Sequence, residues 1–505
     1  MSLLLLFAGF VVALVLVAKA PRFTRTAPGE LAGALLAFAV LGFAGWRMAF
    51  PSQEVDFDTW SHLVRWKFGR TEELYKMHRP IQYAIEHWLY GGAVAFGFGW
   101  PQCRVVTCLV SLAVSFCILL SGRRIFFSGG GVEGAMLWLF GFLLSAGGEF
   151  MVDSWNDHCV LIPFYLAGVA AMLRWRTNPK KYAVVVALLF LAESLCHSAE
   201  PWLWAAALPV VLLGRDSRKS RTAQSVMLVG LVMALFVLIG AAIVSSFPGG
   251  GTAGAKYIDS YRSHQWSLPH FREYAESFSR GGVGEIRARL LFPVLALVVL
   301  VLAPGAIRFR RPSSFIFCAL FLISVAYPWL YETANPERYY TIAVLWPILG
   351  VRGIQRLKSL ARLRRRNASR PVAHWSLKFG AVLLSALFVT GAFARMPVEW
   401  RARNAEQTYN EYGKRLGDEL DPVGVLLVAP EGSFYLWMEY FFEGEVRRYK
   451  EGDNIAAILA SYGNRPVYTN EGYARKMREV GIKPGKVIFE RPGDPASVVY
   501  QLGDW

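Results

Sequence analysis

Apolar runs of membrane-spanning length follow one another from the start of the chain to about residue 396, separated by polar connectors. A helix needs roughly 17 to 25 predominantly apolar residues to cross the hydrocarbon core of a bilayer. About twelve segments meet or approach this length: 2–18, 31–49, 103–121, 131–148, 156–173, 181–197, 201–214, 225–246, 289–305, 313–330, 338–353 and 376–395. The pattern predicts a polytopic α-helical membrane protein with about twelve transmembrane helices.

The composition supports this prediction. Of the 505 residues, 54% are hydrophobic and 14% are aromatic, which is more apolar surface than one soluble core can bury. The six cysteines lie within or at the edge of apolar segments, so we predict neither a disulfide framework nor a zinc cluster. A membrane protein without external disulfides fits the inner membrane of a bacterium.

Basic residues fall in every second connector, and these connectors contain almost no acids. Lys and Arg close to a span are retained on the cytoplasmic side, so the alternation sets the orientation. The residues concerned are Lys19, Arg22, Arg25, Arg123, Arg124, Arg174, Arg176, Lys180, Lys181, Arg215, Arg218, Lys219, Arg221, Arg308, Arg310, Arg311 and the basic run from Arg352 to Arg370. The loops 50–102 and 248–288 and the C-terminal region are therefore predicted to lie on the external, periplasmic side. The basic cytoplasmic connectors account for most of the net charge of +17. The charge therefore does not indicate that the protein binds nucleic acid.

The region after the last apolar segment, 397–505, is predicted to form a small soluble α/β domain. Strand-like runs are Val423–Ala429, Pro466–Thr469, Val487–Phe489 and Val498–Tyr500, and helical runs are Phe434–Phe442, Ile455–Tyr462 and Tyr473–Val480. No Gly-rich nucleotide fingerprint opens any of these helices, so we assign no catalysis to the domain. Binding of an acceptor or partner and a purely stabilising role are both open.

The first external loop carries the candidate catalytic acids. Asp56 and Asp58 follow directly after an apolar segment, and a turn made by His78, Arg79 and Pro80 lies about twenty residues further on. An acidic pair just outside a bilayer can bind a polar acceptor or take its proton, while the bilayer holds an apolar co-substrate. The alternative is that the two acids cap an interfacial helix or lie in a solvated loop.

The two long external loops have further patterns of their own. In the first, spacings of three and four residues around Trp60 and from Ile81 to Trp88 predict helices that lie in the headgroup plane. An aromatic belt without a catalytic role explains the Trp and Tyr content equally well. The second loop carries the glycine run Gly249 to Gly251 and is either a mobile lid or an ordinary linker.

Two further clusters of ionisable residues lie at predicted outer corners of the helices. They are Asp153, Asp157 and His158 at one corner and His197 and Glu200 at the next. Ionisable groups at such depths are costly, and they are usually either paired or functional. The alternatives to substrate binding are a structural pair between Asp157 and His197 and a divalent cation held by the Asp and His side chains.

Short motifs occur in a fixed order along residues 30 to 355. They are Phe57-Asp58-Thr59, the run from His78 to Tyr83, the run from Gly122 to Phe126, Asn156-Asp157-His158, and Arg338-Tyr339-Tyr340 ahead of Pro347. Their order and shared sidedness resemble the GT-C superfamily of integral-membrane glycosyltransferases, in particular its branch of protein O-mannosyltransferases and lipid A aminoarabinose transferases. The chain departs from that branch at Thr59, where a second acid is usual, and at Arg79, where the first proline of a His-Pro-Pro turn is usual.

The resemblance implies transfer of a sugar from a polyprenyl-phosphate donor to a glycan, lipid or protein acceptor at the outer face. Asp58 is then the expected base, with Asp56 as the second candidate or as its like-charged partner. Cations would bind the donor phosphate, because guanidinium forks match phosphate oxygens in two-point contacts. The expected substrate-binding residues are His78, Arg79, Asp153, Asp157, His158, His197, Glu200, Glu337, Arg338 and Tyr339. Many members of the resembled branch work without a metal, so the resemblance implies no certain cofactor, and a divalent cation stays open.

Three alternatives remain open at this point. Arg338 has a second interpretation, as a cation that snorkels to the interface with Glu337 offsetting its charge. A transporter or flippase of a lipid-linked or polar substrate is the alternative class of function, and such proteins place polar residues at the bilayer midplane, often within inverted repeats. The sequence shows no such repeat, and its ionisable residues gather at one face. A non-catalytic scaffold that presents the C-terminal domain is the third hypothesis.

Overall fold

The computed structural model describes residues that fall into two compact units, one helical and one of mixed α/β structure. The described residues are 80–96, 100–127, 132–144, 158–175, 177–196, 312–330, 340–366, 415–429, 434–491 and 494–503, with the single residues 33, 35, 36, 39, 204 and 230. The helical unit contains those up to 366, and the α/β unit contains those from 415 to 503.

Helices make up the described part of the first unit. They are α1 (Pro80–Ala95), α2 (Trp100–Ser121), α3 (Arg123–Phe126), α4 (Val132–Leu144), α5 (His158–Arg174), α6 (Pro179–Cys196), α7 (Pro312–Leu330) and α8 (Tyr340–Arg366). Six of them, α2 and α4 to α8, coincide closely with predicted apolar segments, which confirms the prediction that these segments are helical. Helix α8 differs at one end, because it continues through the basic run to Arg366.

Judged by length and apolarity together, no helix within the described stretches qualifies as a candidate membrane span. The count of about twelve spans stays a prediction. The other six predicted segments lie outside the described residues or touch them only at single positions.

The centre of the helical unit lies between α4 and α8. Nearly every described side chain of α4 is buried, as are those of α8 from Tyr340 to Ile354. A helix that is apolar on all sides must be enclosed by others. The Trp138 indole Nε1 donates a hydrogen bond of 2.9 Å to the Val344 carbonyl, and this bond fixes the register of the two helices.

Helix α5 packs against five other described helices, α2, α3, α6, α7 and α8. A turn joins α5 to α6, and Asn178 caps the start of α6 because its Oδ1 accepts a hydrogen bond of 3.2 Å from the Lys181 backbone N–H. Pro179 follows as the first helical residue, where its missing N–H costs nothing. The two helices therefore form an antiparallel hairpin, and the start of α5 lies beside the end of α6.

A buried arginine joins three helices near their basic ends. The Arg352 guanidinium donates hydrogen bonds of 2.6 and 2.9 Å to the carbonyls of Ile125 and Phe126 in α3 and one of 2.9 Å to the Ser313 hydroxyl in α7. Its carbon Cζ lies 4.5 Å from the centre of the Phe317 ring. The arginine thus ties α8 to the end of α3 and the start of α7.

The second unit contains a five-stranded sheet with helices. Its elements are β1 (Val425–Val428), α9 (Phe434–Phe441), β2 (Glu445–Arg448), α10 (Ile455–Ala460), β3 (Val467–Asn470), α11 (Glu471–Glu479), β4 (Lys486–Arg491) and β5 (Asp494–Gln501). The strand order is β2-β1-β3-β5-β4. Strand β1 is parallel to β2 and β3, and β5 is antiparallel to β3 and β4. The predicted strands and helices of this region are confirmed, and β2 is an addition to them.

One amide side chain holds the centre of this sheet together. Asn470 Oδ1 accepts hydrogen bonds from the backbone N–H groups of Ala429 at 3.0 Å and Tyr473 at 2.9 Å, and its Nδ2 donates one of 2.8 Å to the Ala429 carbonyl. Asn470 therefore caps α11 and at the same time links β3 to the end of β1.

Candidate functional site

Most residues that the sequence predicts for the site lie outside the described residues. They are Asp56, Asp58, His78, Arg79, Asp153, Asp157, His197, Glu200, Glu337, Arg338 and Tyr339. His158 is the exception, since it is the first residue of α5. The roles of these residues stay predictions. The described helices show which neighbouring residues lie in regular structure.

The described helices begin or end directly beside the predicted residues. Helix α1 begins at Pro80, next to Arg79, and α5 begins at His158, next to Asp157. Helix α6 ends at Cys196, before His197, and α8 begins at Tyr340, after Tyr339. Helices α6 and α8 both pack on α5, so the ends of these three helices belong to one packed group.

The first turn of α5 is fixed against α2. The Ser111 hydroxyl donates a short hydrogen bond to the Cys159 carbonyl. The Cys159 and Cys108 sulfur atoms lie 3.8 Å apart, and both side chains are fully buried. The contacts of Cys159 therefore hold the backbone next to His158 in place.

A buried carboxylate lies just inside these helix ends. Glu193, in the last turn of α6, has no exposed surface, and its Oε2 accepts a short hydrogen bond from the Trp204 indole Nε1. The Trp204 ring meets Phe190 edge to face, with ring centres 6.2 Å apart. Its other side lies against Gly168 of α5, where an added Cβ would be 2.7 Å from the indole. Gly168 thus leaves the space that Trp204 needs to reach Glu193.

Two tyrosines bring the start of α8 into contact with α5. Tyr165 of α5 and Tyr340, the first residue of α8, are both fully buried, and their ring centres lie 6.1 Å apart in an edge-to-face arrangement. Tyr165 lies close to both Glu193 of α6 and Ser324 of α7, and Thr341 of α8 adds a further buried hydroxyl group. We call Tyr165, Glu193, Trp204, Ser324, Tyr340 and Thr341 the polar layer.

The polar layer is the part of the site that the sequence analysis missed. Glu193 is the one acid within the apolar segment 181–197, and an ionisable residue inside such a segment is by default a candidate for function. That signal was present in the sequence. Tyr165 and Trp204 gave no comparable signal, because an aromatic residue in an apolar run is ordinary.

The arrangement places a negatively ionisable group beneath helix ends that are followed or preceded by predicted cations. A carboxylate at low dielectric stabilises a nearby positive charge more strongly than it does in water. The layer can therefore hold or orient a cation at the helix ends, or exchange a proton with a group bound there.

Within the stretches that the structure describes, no three His, Cys, Asp or Glu side chains come together to hold a metal ion. The divalent cation considered above would rest on Asp153, Asp157 and His197, outside those stretches, and on the His158 side chain.

The chain has the fold of two solved structures. It is similar to the crystal structure of ArnT from Cupriavidus metallidurans bound to undecaprenyl phosphate, with a TM-score of 0.54 and 12% sequence identity over 94% of this chain and 98% of that chain. The same protein in the apo state matches with a TM-score of 0.56, at the same identity and coverage.

No protein-family model matches the chain. No curated protein matches it at a significant level.

The structural likeness confirms the resemblance to the GT-C superfamily at the level of the fold. The chain therefore shares the fold of these two structures. At 12% identity the likeness carries no residue roles with it.

Proposed function

We propose that this protein is a membrane glycosyltransferase that moves a sugar from a polyprenyl-phosphate donor to an acceptor at the outer face of a bacterial inner membrane. The observation that carries the proposal is the likeness over nearly the whole chain to ArnT bound to undecaprenyl phosphate. A donor of the same chemistry, with an anionic phosphate between a sugar and an apolar tail, suits a helical bundle with a buried polar layer near the end of α6 and the start of α8.

Asp58 is the proposed base and Asp56 its partner or substitute. Transfer needs a group that accepts the proton of the acceptor hydroxyl, and a positioned carboxylate serves this purpose. His78, Arg79 and Arg338 are the proposed ligands of the donor phosphate. The polar layer supports this arrangement because it lies beneath the start of α8, which directly follows Glu337, Arg338 and Tyr339.

Substrate binding is proposed for the residues at the ends of α5 and α6. They are Asp153, Asp157 and His158 before or at the start of α5, and His197 and Glu200 after α6. The proposal includes no metal. It places the region 397–505 outside the membrane as a separate domain, on the side of the acceptor.

The test compares sugar transfer by the purified full chain and by three Asp→Asn variants. Undecaprenyl-phosphate sugars are supplied with a panel of lipid, glycan and protein acceptors. We expect Asp58→Asn or Asp56→Asn to lose about a hundredfold or more in rate, since general base catalysis contributes that much. Asp418→Asn is the matched control, because Asp418 is exposed in the α/β unit.

The result also separates a transferase from a transporter or flippase. A transferase forms a new glycosidic bond and releases undecaprenyl phosphate, whereas a transporter moves its substrate unchanged. Full transfer activity in both site variants would show that neither acid is the base.

A further inference from the structure

A groove of about 560 Å³ lies on the helical unit, between α2 and α6 and over α5. Its volume is within the range of roughly 300 to 1,000 Å³ that small-molecule sites occupy. Helix α5 packs against both neighbours and lies between them. The groove is open at the side, since Val114 and Cys117 of α2 are exposed.

The groove is apolar along most of its length. Its lining includes Ala113 on α2, Ala167 and Ala170 on α5, and Leu189 on α6. Small side chains on α5 leave the space that a larger residue would fill. From Ala113 to Ser121 the groove follows α2 for about 12 Å at 1.5 Å per residue, close to the ~15 Å hydrocarbon depth of one leaflet.

Polar groups line one end of the groove. They are Ser121 at the end of α2, Arg174 at the end of α5, and Tyr182 near the start of α6. The Lys181 ammonium lies 6.0 Å from the centre of the Tyr182 ring. An apolar slot that ends at a cation and two hydroxyl groups has the polarity of a phospholipid, with tail and headgroup in that order.

The charge around this end has one sign. The segments 121–127 and 174–182 contain six basic residues and no acid: Arg123, Arg124, Arg174, Arg176, Lys180 and Lys181. Anionic lipids of the cytoplasmic leaflet are attracted to such basic clusters, and the sequence predicts that this end faces the cytoplasm. The charge therefore favours an anionic headgroup over a zwitterionic one.

We propose that the groove binds one anionic phospholipid, with an acyl chain along Ala113, Ala167 and Ala170 and the phosphate against Arg174. This site is separate from the proposed donor site, because no residue of the polar layer lines the groove. The lipid occupies one leaflet and is not consumed. Binding of this lipid does not depend on glycosyl transfer, so it can be measured without a sugar donor or an acceptor.

The experiment is native mass spectrometry of the full chain in a neutral detergent, titrated with dioleoyl phosphatidylglycerol or with dioleoyl phosphatidylcholine. We expect one phosphatidylglycerol to bind about fivefold more tightly than phosphatidylcholine, the effect expected of one cation near a headgroup. Arg174→Gln should remove this preference. Lys180→Gln removes the same charge from an exposed residue outside the lining and should keep the preference.

The shape of the groove is tested with variants that fill it. Ala170→Leu should weaken binding of both lipids, whereas Val184→Leu, at an exposed position of α6 outside the lining, should not. Cys117→Phe fills the groove from its exposed wall and replaces Ala170→Leu if that variant does not fold. Elution as a single species and an unchanged melting temperature serve as the folding check.

Three results would each overturn the proposal. One is equal binding of the two lipids by the wild-type chain, and another is an equal effect of Arg174→Gln and Lys180→Gln. The third is displacement of phosphatidylglycerol, one for one, by added undecaprenyl phosphate, which would make the groove part of the donor site.

Discussion

Glu193 combines two properties that a substitution can separate, a charge and a hydrogen-bond acceptor. Its carboxylate accepts the Trp204 indole N–H while fully buried. An unpaired buried donor or acceptor costs about 1–3 kcal/mol, so the bond to Trp204 matters for stability whether or not the charge is used. If the charge offsets a cation at the helix ends, it matters for transfer as well.

Glu193→Gln keeps an acceptor oxygen for Trp204 and removes the charge. We expect the melting temperature to stay close to that of the wild type and the transfer rate to fall about tenfold or more, since electrostatic contributions at a dry site are large. Glu193→Ala should lower both quantities. Transfer at the wild-type rate by Glu193→Gln would show that the layer acts only in packing.

Tyr473 gives the α/β unit a predicted dependence on alkaline pH. Burial raises the pKa of its phenol to about 12, from an ordinary value of about 10. The folded state therefore favours the neutral phenol. The stability that this contributes is complete below pH about 10 and is lost as the pH rises towards about 12.

Tyr473→Phe removes this titration, so its urea midpoint should fall less than that of the wild type between pH 9 and pH 11. Part of the fall should remain, because burial and the hydrogen bond to Glu471 also raise the pKa of Tyr500. The midpoint is measured on the full chain by urea denaturation followed through the α/β unit. An equal fall in both proteins would contradict the assignment.

Among the helices, Arg352 supplies hydrogen-bond donors to backbone carbonyls that have no partner within their own helix. The carbonyls at the end of a helix have no partner within it, and α3 is only four residues long. The guanidinium pairs with two of these carbonyls and with Ser313 at the start of α7. Three helices are thus joined by one side chain.

Arg352→Leu should therefore destabilise the helical unit by about 3 kcal/mol, since hydrogen bonds to charged groups are worth more than neutral ones. Arg352→Lys should recover part of this loss. Arg124→Leu is the control, because Arg124 is exposed and the charge change is identical. Melting temperatures in detergent give the comparison, and equal values for the Leu variants would show that Arg352 joins nothing.

Sequence patterns predicted most elements and missed those whose pattern is masked by charge. The segment that forms β2 contains one apolar residue, Val446, and three charged ones. It lies at the edge of the sheet, where charged side chains are tolerated and useful, so no alternation is required. Arg448 reaches the buried Glu439 of α9 through two hydrogen bonds of 2.6 Å, a contact between elements that no local pattern encodes. The extension of α8 to Arg366 was not predicted because that segment is rich in basic residues.

At the scale of the whole molecule, the sequence predicted the fold class from physical constraints that many sequences satisfy. Apolar length and alternating basic connectors constrain a helical bundle without fixing particular side chains, so the fold can match solved structures at 12% identity. The polar layer was harder to predict, because it joins residues from α5, α6, α7 and α8 that are up to 176 positions apart. Only the packing of helices brings Tyr165 to Tyr340.

Formation of a glycosidic bond is the activity that the proposed function requires of this protein. The most direct measurement follows a labelled sugar on undecaprenyl phosphate in liposomes that contain the purified full chain and an acceptor panel. We expect the label to move covalently to an acceptor with release of one undecaprenyl phosphate per sugar, and the Asp56→Asn, Asp58→Asn double variant to abolish this transfer. Label that crosses the bilayer still attached to undecaprenyl phosphate, without any new glycoside, would contradict it.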